Sequence, residues 1–247
     1  MHCKPSKLAL AALAVLLAVP AAAQEAEDAP PLGLMGTIPI YWGEAAGLQE
    51  LVGGGAEPHW ARAQLEADYA LRPLDYLDSA TLAGLDYLLL AQPRALSGEE
   101  NVALDAWVRA GGRLLLFADP MMTGHSRFSI GDRRRPMDVT LLSPILRHWG
   151  LAMEFVEDQP VGMRRLDAAG LTVPVNLPGR FVPVELEGAC RLAADSALAR
   201  CAIGRGSATI LADGAVIDLH EPDDAAPAAL RGLVRLAFGK TGESAGQ

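Results

Sequence analysis

The sequence predicts an α/β protein with an open, mainly parallel sheet and helices on both faces. Residues 86–120 carry the main observation: Tyr87–Ala91 and Leu114–Ala118 are short continuous apolar runs, typical of strands that are covered on both faces. A helix is predicted between them, and two buried strands joined by one helix run parallel with a right-handed crossover. A second observation is the buried strand at Ser207–Asp213 followed by a closing helix at Pro227–Phe238.

The helix between the first two strands has clear end signals. Ser97 is a good N-cap, and Glu100 follows it at the spacing of a capping box. Gly111-Gly112 ends the helix. Its apolar face is formed by Val102, Leu104, Ala106, Trp107 and Val108.

The remaining elements are predicted from similar signals. In chain order they are a strand at Met35–Trp42, a Gly-rich loop at Gly53–Gly55, a helix at Pro58–Ala67, a strand at Tyr69–Pro73, a long polar loop at Met121–Asp138, a helix at Val139–Trp149 and a strand at Leu151–Glu157. From 159 to 206, short β-like runs rich in Pro and Gly replace helical periodicity, which predicts a β-rich insertion. Whether this insertion is a separate subdomain is left open.

The first residues have the pattern of a signal peptide. Lys4 and Lys7 precede an apolar stretch from Leu8 to about Val19, and Ala21–Ala23 offers small residues for cleavage. We expect cleavage near Ala23 and an exported protein, which in a bacterium means the periplasm. An uncleaved segment that serves as an anchor is the alternative, although the apolar stretch is shorter than the roughly 20 residues of a typical membrane span.

The predicted organisation is a signal peptide at 1–23, an acidic linker at 24–34, a single α/β domain at 35–238 with its insertion at 159–206, and a flexible tail at 239–247. The formal net charge is −9, and cleavage would make it more negative because it removes two lysines and no acidic residue. Such a charge excludes nucleic acid as an expected partner.

Cys190 and Cys201 flank a predicted hairpin that turns at Asp195-Ser196. Pairing of residue 194 with 197 and of 193 with 198 brings the two cysteines opposite each other. In an oxidising compartment they are expected to form a structural disulfide. Two unrelated buried thiols are the alternative.

One pattern runs through the strand, helix, strand unit: Asp86, Pro93, Leu96-Ser97, Leu104, Gly111-Gly112-Arg113 and Asp119-Pro120. A second pattern is Gly204-Arg205-Gly206 leading into Ile210–Asp213. Together they resemble the extracytoplasmic domain of gliding-motility-type ABC transporter auxiliary proteins. The resemblance implies a fold of the class I glutamine amidotransferase-like or flavodoxin-like kind, here without the catalytic cysteine, and a membrane ABC transporter subunit or envelope protein as partner.

In an open parallel sheet, ligands bind outside the carboxyl ends of the strands. The residues that follow the predicted strands are therefore the candidates for a ligand site, with an aromatic pair beside polar groups. They are Tyr41, Trp42, Glu44, Gln92, Asp119 and His125. The other interpretation of a strand-ending Asp, for Asp119 and also for Asp213, is that it caps the next turn.

No catalytic residue, metal or cofactor is predicted. Nucleophilic chemistry of the amidotransferase type needs an activated cysteine, and both cysteines of the exported form are expected to be bridged. Ser126 beside His125 is interpreted as part of a solvated loop. The histidines lack metal-ligand spacings, and the acidic run at Asp218–Asp224 is interpreted as complementing the following helix N-terminus.

The function implied by the resemblance is a non-enzymatic binding or assembly component of an ABC-type transport or envelope system. Arg133, Arg134 and Arg135 in the long loop are the candidate partner surface. One alternative is a degenerate amidotransferase-like hydrolase of small envelope metabolites that uses Asp119, Glu44 and His125. Another is a periplasmic solute-binding protein in which Tyr41 and Trp42 stack on a sugar or peptide.

Overall fold

A seven-stranded sheet lies between two layers of helices. The computed structural model describes residues 29–45, 47–53, 58–184, 190–217 and 222–239. The strands are β1 (Pro31–Gly36), β2 (Ala70–Pro73), β3 (Tyr87–Ala91), β4 (Arg113–Phe117), β5 (Leu151–Phe155), β6 (Arg164–Ala168), β7 (Leu171–Val175), β8 (Gly179–Pro183), β9 (Cys190–Ala193), β10 (Leu198–Ile203) and β11 (Gly206–Leu211). The helices are α1 (Leu48–Gly53), α2 (Trp60–Glu66), α3 (Gly98–Arg109), α4 (Ser143–His148) and α5 (Ala226–Phe238), with a 3₁₀ turn at Ala215–Ile217.

The sheet has the strand order β2-β1-β3-β4-β11-β10-β9. Its first five strands are parallel, whereas β10 and β9 are antiparallel to their neighbours. Two further antiparallel pairs, β5 with β8 and β6 with β7, form small sheets of their own. The predicted α/β class with a mainly parallel sheet is therefore confirmed.

The β3-α3-β4 unit has the predicted parallel pairing and the predicted capping box. Leu88 lies opposite Leu114 across the ladder. The Ser97 hydroxyl accepts the Glu100 N–H at 3.1 Å, and the Glu100 carboxylate accepts the Ser97 N–H at 2.9 Å. Gly112 is required at the end of the helix, because a Cβ there would lie 2.4 Å from the ring of Trp107.

Alternate residues of the central strands face opposite helical layers, as expected from the twofold repeat of a strand. Leu89 and Leu115 pack with α2 and α5 on one face. Leu88 and Leu114 pack with α3 and α4 on the other face. All four leucines are fully buried, which accounts for the continuous apolar runs in the sequence.

The first strand lies earlier than predicted. β1 spans Pro31–Gly36, inside the predicted linker, whereas the prediction placed a strand at Met35–Trp42. The ladder ends at Gly36 because the backbone there closes on β3: a Cβ would lie 1.9 Å from the Ala91 carbonyl oxygen. Pro39 then lacks an N–H for a ladder. The sheet core therefore begins four residues before the predicted start of the domain.

Two other predictions differ from the structure in extent. The helix predicted at Val139–Trp149 is confined to Ser143–His148, since the Thr140 N–H donates to the Asp119 carbonyl at 2.9 Å and Pro144 starts the helix. The predicted β-rich insertion at 159–206 is not one unit: β6, β7 and β8 lie outside the main sheet, while β9 and β10 extend it.

The hairpin formed by β9 and β10 has the predicted register. Leu198 pairs with Ala193, and Cys201 pairs with Cys190. A disulfide joins the two cysteines, as predicted. Residues 195 and 196 at the turn have positive φ angles of 52° and 69°.

None of the helices in the described ranges is long and apolar enough to cross a membrane. The predicted signal peptide at 1–23 and the tail beyond residue 239 lie outside the described residues, and so do residues 218–221 of the acidic run. Their predicted roles remain predictions.

Candidate functional site

Four polar side chains meet at the carboxyl ends of the parallel strands. Thr37 follows β1, Gln92 follows β3, Asp119 follows β4 by two residues, and Asp213 follows β11. The strand order brings these ends together. Gln92 and Asp213 are fully buried, and Asp119 is only 1% exposed. A buried polar cluster therefore stands where the sequence predicts a ligand crevice, and it includes two of the predicted site residues.

Gln92 ties β4 and the following loop to β3. Its side-chain amide donates to the Asp119 and Met137 carbonyl oxygens at 3.0 Å each, and its side-chain oxygen accepts the Asp119 N–H at 2.7 Å. Its backbone has a φ of 47°. This conformation turns the chain out of the strand while the side chain stays within the cluster. Every polar atom of the Gln92 side chain has a protein partner.

Asp119 caps the turns that follow two different strands. One carboxylate oxygen accepts the Met121 N–H at 2.8 Å, and the other accepts the Gly214 N–H at 2.8 Å. Gly214 is needed at this approach, because a Cβ there would lie 2.9 Å from the Met122 sulfur and 3.2 Å from the Asp119 carboxylate. Asp119 therefore caps the turn that follows its own strand, as in the turn-capping interpretation, and it also caps the turn that follows β11.

Asp213 is the second buried carboxyl of the cluster. It accepts the Ala215 N–H at 2.6 Å and the Asn176 N–H at 2.9 Å. Burial, followed by the neighbouring charge of Asp119, raises the pKa of Asp213 well above its ordinary value, although the two N–H donors and Arg164 act in the opposite direction. The sequence marked Asp213 as a strand-ending residue, but no local pattern pointed to its contact with residue 176.

The long loop closes over this cluster. The Thr37 hydroxyl donates to the Gln92 carbonyl at 2.5 Å and accepts the Met137 N–H at 3.0 Å. The Met122 N–H donates to the Asp138 carbonyl at 2.9 Å, which joins the two ends of the loop. The predicted crevice at Gln92 and Asp119 is therefore covered by backbone of the same chain.

The predicted aromatic pair lies near the surface of the protein. The rings of Tyr41 and Trp42 meet edge to face with 4.6 Å between centroids. The Arg62 guanidinium lies 4.2 Å from the Tyr41 ring centroid and donates to the Tyr41 carbonyl at 2.9 Å. Trp42 is 52% exposed, so one aromatic surface is accessible from solvent.

Glu44 is held by the start of the long loop. Its carboxylate accepts a hydrogen bond from the Ser126 hydroxyl and another from the Arg127 N–H at 2.9 Å. His125 is exposed, and no hydrogen bond among the described residues joins it to Ser126, Glu44 or Asp119. The three residues of the predicted enzyme site are thus not assembled into one hydrogen-bonded group. Sequence reasoning missed the pairing of Ser126 with a carboxylate.

The three arginines of the predicted partner surface differ in their surroundings. Arg134 forms an ion pair with Asp132 at 2.7 Å and stacks 4.2 Å from the centroid of the Phe128 ring. Arg135 forms an ion pair with Asp138 at 3.1 Å. Arg133 is exposed, and the described residues supply it with no carboxylate partner.

The same loop and the residues leading into α4 expose several apolar side chains, an arrangement that the sequence did not single out. Ile130 is 84% exposed and Leu141 is 53% exposed. Met121, Val139 and Arg133 are also exposed. We call this set of five residues the loop face. Exposed apolar patches on protein surfaces commonly mark interaction sites.

The described residues include no group of three or more His, Cys, Asp or Glu side chains placed to hold a metal ion. Cys190 and Cys201, the cysteines in that part of the chain, are bonded to each other. Within the described ranges, therefore, neither a metal centre nor a free thiol is available.

The fold and this site define a class: a three-layer α/β protein with a polar cluster closed over the carboxyl ends of its parallel strands. Residues 44–158, a little under half of the chain, match the family model described as an ABC-type uncharacterized transport system. This match confirms the family resemblance seen in the sequence, and the family is that of an auxiliary component of such a transport system. The matched segment runs from α1 through β5, so the second pattern at 204–213 lies outside it. No curated protein matches the chain.

The chain is also similar to several solved structures, all at low sequence identity. The structure described as the mmIFT52 N-terminal domain has a TM-score of 0.54 at 14% identity, over 86% of this chain and 99% of that one. An exo-beta-1,4-mannosidase from Opitutaceae bacterium strain TAV5 gives 0.44 at 13% identity, over 84% of this chain and 34% of that one. A putative ThuA-like protein from Bacteroides uniformis gives 0.45 at 9% identity, over 85% and 94%. The chain thus spans about a third of the glycosidases that it matches.

Proposed function

We propose that this chain is a periplasmic, non-enzymatic binding or assembly component of an ABC-type transport or envelope system. The observation that carries the proposal is the family match over 44–158. That segment contains the β3-α3-β4 unit, the loop face and the predicted site residues Glu44, Gln92 and Asp119.

The contacts of the predicted site carboxylates support a non-enzymatic role. A general base must be able to reach the proton that it abstracts. Asp119 instead accepts N–H groups from two turns, and Glu44 accepts Ser126 and Arg127. These carboxylates hold loops in place, which suits a protein that presents a shaped surface.

The strand order supports the finer fold assignment. The five parallel strands follow the order second, first, third, fourth, last along the chain, which is the arrangement of flavodoxin-like doubly wound sheets. We therefore assign the domain to the flavodoxin-like and amidotransferase-like group, with the antiparallel β10 and β9 added at one edge.

The predicted signal peptide and the disulfide both support export. Disulfides form and persist in oxidising compartments such as the bacterial periplasm. The hairpin of β9 and β10 places Cys190 and Cys201 opposite each other at the edge of the sheet. Release of the protein by osmotic shock, without the first 23 residues, is the expected result of cell fractionation.

The loop face is the surface we assign to a protein partner. Binding of a partner would remove the apolar surface of Ile130 and Leu141 from water, which is favourable. The guanidinium of Arg133 would supply a polar contact to the partner. Because Arg134 and Arg135 are ion-paired within the loop, the apolar residues and Arg133 are expected to dominate.

Co-purification after crosslinking in cells tests this assignment. We expect a transporter permease or ATPase subunit with the wild-type protein, and its loss with Ile130→Asp or Leu141→Asp. Val102→Asp is the matched control, since Val102 is 71% exposed on α3 outside the loop face. Recovery of the subunit by all three variants would contradict the assigned surface, and recovery of no transporter subunit by wild type would contradict the proposed function.

A solute-binding role is the second candidate, favoured by the exposed ring of Trp42 beside Tyr41. Aromatic faces of this kind stack on sugars and peptides. A ligand that binds only the folded form raises the melting temperature. A shift with envelope sugars or peptides that disappears in Trp42→Ala would support this role, and the absence of a shift in the wild type would exclude it for the compounds tested.

A further inference from the structure

Two arginines face each other on the flank of the sheet that is remote from the polar cluster. Arg191 of β9 and Arg200 of β10 are direct partners across the antiparallel ladder. Side chains of directly opposite residues lie on the same face of a sheet, and like charges in such a pair are destabilising. Both side chains are exposed. The fold therefore keeps two positive charges side by side.

The described residues offer these charges no compensation. None of the ion pairs in that part of the chain includes Arg191 or Arg200. By contrast, Arg165 on β6, which is also exposed, meets both carboxylate oxygens of Asp223 at 2.9 and 3.1 Å. An anion from outside the chain would supply the negative charge that the described residues of this flank do not provide.

The two arginines line an open groove of about 480 Å³. Ser207 and Thr209 of β11 also line it, as does Leu236 of α5. Thr209 pairs with Arg200 across the ladder, so Arg191, Arg200 and Thr209 form one row across three strands. The row combines two guanidinium groups with a hydroxyl on one face of the sheet.

From this geometry we propose that the groove binds a phosphoryl group. A guanidinium presents paired N–H donors that match the oxygens of phosphate, and charge-assisted hydrogen bonds of this kind are stronger than neutral ones. One guanidinium can pair with both oxygens of a single carboxylate. Two guanidinium groups with hydroxyls beside them suit the several oxygens and the higher charge of a phosphoryl group. The site is separate from the loop face and does not depend on the proposed function.

Calorimetric titration with sodium phosphate, against sodium chloride at matched ionic strength, tests the site. We expect binding by wild type and binding weakened about tenfold or more in Arg191→Gln and in Arg200→Gln, since each loses charged hydrogen bonds. Arg72→Gln is the matched control, because Arg72 is an exposed arginine on the other edge strand, β2. No binding by wild type, or equal weakening in Arg72→Gln, would overturn the proposal.

The phosphoryl group can belong to a soluble compound or to a lipid headgroup, and vesicle flotation separates these sources. Vesicles of phosphatidylcholine with phosphatidic acid are compared with phosphatidylcholine alone. Flotation of wild type only with phosphatidic acid, lost in Arg200→Gln, assigns a lipid headgroup; phosphate binding without flotation assigns a soluble compound.

Melting temperatures measured with and without phosphate distinguish loss of binding from misfolding of a variant. Phosphate should raise the melting temperature of wild type and of Arg72→Gln by similar amounts, and should raise that of Arg200→Gln much less. An equal rise in all three proteins would show binding elsewhere and would overturn the assignment to Arg191 and Arg200.

Discussion

Replacement of Gln92 by Leu is the perturbation that tests the closed polar cluster most sharply. Leu has a similar volume, so the change removes hydrogen bonds while it leaves little cavity. Gln92 is fully buried and makes three side-chain hydrogen bonds, two to Asp119 and one to Met137. The variant leaves the buried Asp119 N–H without its 2.7 Å acceptor.

The magnitude follows from these contacts. An unsatisfied buried donor costs about 1–3 kcal/mol, and an ordinary hydrogen bond contributes about 1 kcal/mol net. The Asp119 carbonyl keeps a second donor, the Thr140 N–H at 2.9 Å, so losing the hydrogen bond from Gln92 to this carbonyl costs little. The Met137 carbonyl lies at the rim of the cluster, where water can replace the amide. We therefore expect the free energy of unfolding to fall by about 3 kcal/mol.

Urea unfolding followed by circular dichroism measures this change, and limited proteolysis locates it. Loss of the Met137 contact should speed cleavage in the loop at 121–138 relative to the rest of the chain. Asn101→Ala is the control, because within the described ranges its side chain donates to the nearby carbonyls of Leu96 and Ser97. A fall below 1 kcal/mol for Gln92→Leu, with unchanged cleavage of the loop, would refute the role assigned to Gln92.

Three further predictions concern two buried carboxyl groups and the disulfide. Burial opposes ionisation of Glu100, but hydrogen bonds from Arg94 and from backbone N–H groups outweigh it and lower the pKa of Glu100 to about 2. Because Arg94 is partly exposed, solvent screens the pair. Glu100→Gln should therefore lower the free energy of unfolding by about 2 kcal/mol near neutral pH. In urea melts that cost should be constant above the unfolded pKa and shrink as pH falls from about 4.5 towards 2; a pH-independent cost would contradict it. The pKa of Asp213 is raised instead of lowered, so the contribution of Asp213 to stability is full below about pH 4 and declines as pH rises. Asp213→Asn should therefore lower the free energy of unfolding more at about pH 4 than at about pH 8. An equal decrease at both pH values would contradict this. Replacing both Cys190 and Cys201 by Ser should lower the free energy of unfolding by about 2–3 kcal/mol in non-reducing urea melts, because the bridge closes a short loop; a double variant as stable as the oxidised protein would contradict it.

Local sequence signals predicted the elements whose contacts are mostly local. The capping box at Ser97 and Glu100 lies within one helix turn, and the pairing of Cys190 with Cys201 follows from counting residues across one hairpin. Such patterns carry their own geometry. The parallel pairing and the capping box of the β3-α3-β4 unit and the disulfide were therefore predicted correctly, whereas Val102 and Ala106, predicted on the apolar face of the helix, are exposed.

The failures occur where distant segments decide the structure. β1 ends at Gly36 because its backbone there meets the carbonyl of Ala91, which is 55 residues away along the chain. The closure of the predicted crevice depends on Thr37 meeting Met137, and the pairing of Glu44 depends on Ser126. Residue types at strand ends identified where polar groups would gather, but only the tertiary contacts show which atoms they bind.

Photo-crosslinking in cells from position 130 tests the central claim most directly. A photoreactive amino acid replaces Ile130 on the loop face, and the same substitution at Val102 on α3 serves as control. We expect a crosslink to a subunit of an ABC-type transporter from position 130 and none from position 102. A crosslink to the same subunit from both positions, or to no transporter subunit from position 130, would contradict the account.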